Sequence, residues 1–229
     1  MLALLNKKIV TPADLPFGHG DGEYESARRD AAQSLSCFKT GGITMKKTNA
    51  QISLAPLTAE DREQFILDNQ YAFRFGAMEE FEQRDDHFEE DGEIISRKTI
   101  EDSIDGGTAY RILADGRPVG GLVVKIDNET KHNHLDLLFV DPCAHSKGIG
   151  FAAWQALERL YPDTKVWETC TPYFETRNVH FYINKCGFHA VEYFNQFHRD
   201  PHDPEAGPEA DADDDRFAGM LRFEKRMIN

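Results

Sequence analysis

The sequence predicts an α/β protein built on a mixed, largely antiparallel sheet of about seven strands. Two observations carry this reading. Asp115-Gly116 separates two apolar runs, 109–114 and 118–126, and this dipeptide suits the positive-φ turn of a tight hairpin. Further on, an apolar run at 132–140 breaks at Asp141-Pro142, enters a helix through Ser146-Lys147-Gly148-Ile149-Gly150, and returns as a strand at 165–171. A strand–helix–strand crossover of this kind makes the two strands parallel neighbours.

The elements follow in readable order. Residues 1–44, with Pro12, Pro16 and the glycines of FGHGDGEY, read as a loosely ordered N-terminal extension, and the folded domain is expected over 45–229. Ile52-Ser53-Leu54 alternates like a short strand, and Thr58-Ala59-Glu60-Asp61 resembles a capping box that opens a helix to about Gly76. The acidic stretch from Glu79 to Glu93 reads as a loop, followed by a second helical segment, IISRKTIEDSI. The hairpin strands come next, and Asp127-Asn128-Glu129-Thr130 turns the chain into 132–140, giving an antiparallel meander of three strands. A helix from about Gly148 to Tyr161 leads to the strand at 165–171. Another helix lies within 176–185 and ends at Gly187, whose lack of a Cβ suits a left-handed cap. Strands at 191–197 and 220–226 flank HDPEAGPEADADDD, which reads as a solvated acidic loop.

Composition narrows the function classes. A chain of 229 residues with 40% hydrophobic content can bury the core of one α/β domain. A formal charge of -14 argues against nucleic acid as a partner and would steer cationic small molecules or basic peptides. Cys37, Cys143, Cys170 and Cys186 show no CxxC spacing, so free thiols in a reducing cytoplasm are expected. No apolar run approaches the ~20 residues of a membrane span, so no membrane partner is expected. The histidines are scattered without a facing Cys or carboxylate pattern, and no metal site is expected.

A glycine turn feeding a helix N-terminus offers several backbone N–H groups and a positive dipole end to one spot, which suits a phosphorylated ligand. Gly148-Ile149-Gly150-Phe151-Ala152-Ala153 also has the G-x-G-x-x-A form of a dinucleotide fingerprint, with Glu168 at about the distance of a ribose-binding acid. In a dinucleotide fold the first glycine follows its strand almost directly. Here Asp141 to Lys147 intervene and hairpins precede, which disfavours that reading.

With this element order, the segments His145-Ser146-Lys147-Gly148-Ile149-Gly150 and Glu175 to Phe188, ETRNVHFYINKCGF, resemble the GNAT family of acyl-CoA-dependent N-acyltransferases over roughly Gln51 to Met227. The resemblance implies a sheet with helices on both faces, splayed between the strands at 132–140 and 165–171. It implies that His145, Ser146, Lys147, Gly148, Ile149 and Gly150 wrap the pyrophosphate of acetyl-CoA, with His145 where the family usually has Gln or Arg. Pantetheine would pair beside Leu138, Phe139 and Val140, where a backbone N–H also stabilises the thioester oxyanion. Asn178 would contact pantetheine, and Tyr182 would act as general acid toward the departing thiolate. Tyr182 lies five residues before Gly187, where the common form has four. One residue is about 100° of helix rotation, so either Tyr182 or Ile183 faces the cofactor.

The incoming amine needs a base. His132, His134 and Asp136 alternate along one strand and by that alternation share a face with Leu138 and Val140. His134 falls where some family members carry a catalytic glutamate, and a histidine of ordinary pKa near ~6.5 accepts protons at neutral pH. Glu168 on the adjoining strand is the other candidate, as base or as ligand for the ammonium group. Cys143 has no basic partner in the sequence to activate it, so direct transfer in a ternary complex is expected rather than a covalent intermediate. The implied reaction moves acetyl from acetyl-CoA to a primary amine of a small molecule or peptide, with edge strands able to pair two copies as a homodimer. The departures at His145 and Tyr182 leave a second reading, a non-catalytic acyl-CoA-binding sensor or interaction module.

Overall fold

The structure, a computed structural model, describes residues 50–79, 92–145, 148–195, 197–201 and 219–227. The N-terminal extension expected over 1–44, the acidic loop between 80 and 91, and the acidic insertion at 202–215 lie outside these residues, as do Ser146 and Lys147.

Seven strands form one sheet. In chain order they are β1 (Ile52–Pro56), β2 (Thr108–Ala114), β3 (Arg117–Lys125), β4 (His132–Val140), β5 (Val166–Pro172), β6 (His189–Phe194) and β7 (Met220–Arg226). In space the order is β1-β2-β3-β4-β5-β7-β6. The meander β1 to β4 is antiparallel, β4 and β5 are the parallel pair of the crossover, and β7 inserts antiparallel between β5 and β6. Asp115 (φ 49°) and Gly116 (φ 78°) both take positive φ, as a type I′ hairpin turn requires. The strand expected at 191–197 begins and ends earlier, because the Asn195 side chain accepts the N–H groups of Phe197 and His198 and closes a turn there.

Helices cover both faces. On one side lie α1 (Arg62–Arg74), which continues into a π-helical turn at Phe75–Glu79, and α2 (Arg97–Gly106), capped by the Ser96 hydroxyl accepting the Thr99 N–H at 3.0 Å. Phe65, Ile66 and Ile100 from these helices pack on Val123, Leu137 and Phe139. On the other side lie α3 (Ile149–Leu160) and α4 (Thr176–His180), whose Trp154, Leu157 and neighbours join Leu122, Leu135, Trp167, Phe188 and Phe223 in a second core. The α4 helix continues through a π-helical turn at Phe181–Cys186, and Gly187 closes it at φ 79°. Arg111 on β2 ties α1 to the sheet: its buried guanidinium donates to Asp61 and Asp68 and lies 5.2 Å from the centre of the Phe65 ring.

The seat of α1 depends on Gly121. A Cβ there would stand 2.2 Å from the Phe65 ring and 2.7 Å from the Phe139 ring, which meet edge to face at 5.1 Å. Gly121→Ala is expected to lower unfolding stability by about 1–3 kcal/mol, read as a fall in urea midpoint at unchanged slope. An unchanged midpoint would mean that the rings yield without cost.

Candidate active site

β4 and β5 pair only through His132↔Val166, Asn133↔Trp167 and His134↔Glu168, and then separate. Thr169 Oγ1 donates to the Leu135 carbonyl at 2.9 Å and latches the base of the gap. Above it, the Asp141 N–H donates to the Val119 carbonyl at 2.9 Å. Because amide direction alternates along a strand, the amides of Leu138 and Val140 therefore turn away from β3 and into the gap. His145 closes the far end: its Nε2 donates to the Val140 carbonyl at 2.9 Å while its ring meets Phe75 edge on. His145 thus braces the strand end at the head of the glycine loop.

Gly148 follows at φ 76°, with no described atom within 4 Å of where a Cβ would stand, and leads into the N-terminus of α3. Ile149 is buried in the core, and Gly150 faces the Phe181 ring and Val140. A strand edge whose amides turn into the gap, leading to a glycine turn and a helix N-terminus, fits a ligand that carries amides along its length and phosphate at its end.

The strand that carries these amides changes faces midway. Gly120 to Val123 pair with Val140 to Leu137, but Val124 and Lys125 pair with Leu135 and His134, leaving Asp136 as an extra residue in a β-bulge. The strict alternation expected for β4 therefore fails at this point. Leu138 and Val140 pack on the α3 side with Leu135, whereas Leu137 and Phe139 face α1 and α2. His134 and Asp136 lie on the α1/α2 face and do not share a face with Leu138 and Val140. Asp136 accepts from the Ser103 hydroxyl of α2 and, at 2.8 Å, from Lys125 Nζ. Burial raises its carboxyl, but its contacts with His134, Lys125 and Ser103 outweigh burial and hold it at about 2.

Glu168 sits beside His134 on the same face, partly exposed and already paired. Its Oε2 accepts from Arg222 Nη1 at 2.7 Å and lies 3.1 Å from His132 Nε2. One oxygen of the Glu168 carboxylate is thus committed to Arg222 and His132. Its ring and carboxylate neighbours His132 and Glu224 have the spacing of a cation site, with ligand atoms within 4.8 Å of one another. Arg222 Nη1 already supplies positive charge there, donating to Glu224 at 2.8 Å as well.

On the opposite face, the π-helical turn absorbs the extra residue between Tyr182 and Gly187. It turns Tyr182 into the core between Phe188 and Phe223, at ring distances of 5.7 and 5.8 Å, and leaves Ile183 outward at 39% exposure. The Tyr182 phenol nevertheless comes under the influence of Thr169, the residue that latches Leu135. Burial raises this phenol to about 12, against a lowering by Thr169, so it holds its proton at neutral pH. Asn178 is exposed on α4 and donates to Thr171 Oγ1 at 3.3 Å. Thr169, Asp136 and Arg222 are the residues that sequence reasoning assigned no role. Only the acid at 136 between apolar neighbours hinted at one.

An open sheet split between its parallel strands, with amides of β4 turned into the gap and a glycine turn at the mouth of the next helix, is the fold of an acyl-CoA-dependent acetyltransferase. The model of the Acetyltransferase (GNAT) family matches residues 68–188, and the chain belongs to that family. "Uncharacterized protein YrkN" of Bacillus subtilis (strain 168) is 45% identical over 188 residues, covering 80% of this chain and 99% of that protein. The Escherichia coli ribosomal-protein-S18-alanine N-acetyltransferase has a similar fold, with TM-score 0.53 and 12% identity over 78% of this chain and 97% of the other. So has a GNAT acetyltransferase from Elizabethkingia anophelis with acetyl-CoA bound, with TM-score 0.50 and 16% identity over 77% of this chain and 98% of the other. Among the described residues, no helix is long and apolar enough to cross a membrane.

Proposed function

We propose that the protein transfers an acetyl group from acetyl-CoA directly to a primary amine of a small molecule or peptide. One observation carries the reading: His134 and Tyr182 approach the base of the same gap from opposite faces of the sheet. When bound, acetyl-CoA supplies an activated thioester carbonyl and a thiolate leaving group. Gly148 to Gly150, with His145, Ser146 and Lys147, form the pyrophosphate loop. The amides of Leu138 and Val140 pair with pantetheine along the gap, and an N–H there stabilises the oxyanion. Asn178 borders the same ligand from α4. His134 accepts the proton that the acceptor ammonium must lose, and Tyr182 gives its proton to the leaving thiolate, so each group changes charge only during the transfer.

The formal charge of -14, together with Glu168, Glu192 and Glu224 around Arg222 on the His134 face, favours a cationic acceptor. Release of free thiol from acetyl-CoA, measured against polyamines, aminoglycosides, amino acids and N-terminal peptides, tests the proposal. Acceptor-dependent release is the expected result. Binding of coenzyme A without release on the whole panel would favour the non-catalytic module instead, and no binding at all would defeat both readings.

A further inference from the structure

We infer that Asp136 is a positioning residue that fixes His134 as its Nδ1–H tautomer, leaving Nε2 as the proton acceptor. The inference rests on the assignment of His134 as base and adds the group that sets its protonation site.

Of the two ring nitrogens of His134, only Nδ1 is fully enclosed. The carboxylate oxygen Oδ1 of Asp136 lies 3.4 Å away, at the limit of hydrogen-bond range and without full alignment. Among the described residues, register and contact place these titratable groups beside the imidazole. Lys125 on β3 and Glu168 on β5 are its register partners, Asp136 follows it on β4, and His132 precedes it against Glu168. Glu168 is held by Arg222, and Lys125 Nζ is held by Asp136, which leaves Asp136 Oδ1 as the charged atom beside Nδ1.

The tautomer follows from electrostatics. A bare Nδ1 lone pair enclosed against an anion is repelled, whereas an Nδ1–H there is attracted, and low local dielectric enlarges the difference. Asp136 cannot swing away to relieve the contact, because Ser103 holds one oxygen and Lys125 the other. Alternation pairs the two side chains, and the bulge sets which face they share. His134 and Asp136 stand two apart on the α1/α2 face, while beyond them Leu138 and Val140 turn to α3. The proton therefore resides on Nδ1, and Nε2 carries the lone pair that takes a proton from the acceptor ammonium.

Long-range 1H–15N spectra of the uniformly 15N-labelled full chain, with the His134 signals assigned by their loss in His134→Gln, report the tautomer without any acceptor. In the unmodified protein, neutral His134 is expected with its proton on Nδ1. In Asp136→Asn the Nδ1–H fraction is expected to fall to a mixture of both tautomers, while Glu168→Gln leaves it unchanged. A proton on Nε2 in the unmodified protein overturns the inference even where Asp136→Asn does not fold, and so does an unchanged tautomer in a folded Asp136→Asn. With an acceptor in hand, Asp136→Asn is expected to lower kcat/KM about tenfold, with His134→Gln lowering it further. Full activity of His134→Gln with the Nδ1–H tautomer intact would remove the base assignment and leave the tautomer standing.

Discussion

Tyr182→Phe is expected to lower kcat by about 100-fold while leaving acetyl-CoA affinity within about twofold. The phenyl ring keeps the contacts with Phe188 and Phe223, so the variant removes one hydroxyl from a filled core and should cost only about 1 kcal/mol of stability. What disappears is the proton held beside Thr169. The Thr169 hydroxyl has a single hydrogen, which it gives to the Leu135 carbonyl while Tyr182 keeps its own proton. Once the phenol has given up its proton, Thr169 can rotate and donate to the phenolate. Steady-state turnover and a direct acetyl-CoA titration on the same preparation separate the effects. An unaltered kcat would take Tyr182 out of the chemistry and leave it as a core residue.

His134→Gln is expected to lower kcat/KM by about 100-fold and to remove the acidic limb of the pH profile, because the group whose deprotonation enables attack is gone. Glutamine keeps much of the size and polarity of the side chain beside Lys125 and Glu168, so gross misfolding is not the expected cause. The profile is the discriminating measurement. A uniform drop with the acidic limb retained would assign proton removal to another group, and Glu168→Gln is the comparison to make next.

The fold was legible wherever a local signal decides it. Asp115-Gly116 admits the positive φ of a hairpin, Gly187 admits a left-handed cap, and the break at Asp141-Pro142 ends a strand whose apolar run is plain in the sequence. The site was legible only in outline. The glycine loop and the strand beside it are contiguous in sequence, but the face presented by His134 is set by one extra residue in β4, which no periodicity reveals. Similarly, the offset of Tyr182 from Gly187 leaves two orientations open, and a π-helical turn settled by packing against Phe188 and Phe223 chooses between them. The partner that occupies Glu168 is Arg222, on a strand that arrives only after the acidic insertion, so spacing could not pair them.

The bulge at Asp136 also changes which kind of genetic lesion the protein can survive. Point substitutions along β4 exchange one side chain and leave the rest in place. Removing a single codon at this position would restore regular alternation, and the residues on one side of the cut would present the opposite set of side chains to the helices. Imidazole would be driven toward the tryptophans of one core, or leucines toward the acceptor. Reading-frame-preserving deletions here should therefore be far less tolerated than substitutions, and a length polymorphism in this strand would mark a protein whose two faces have exchanged roles.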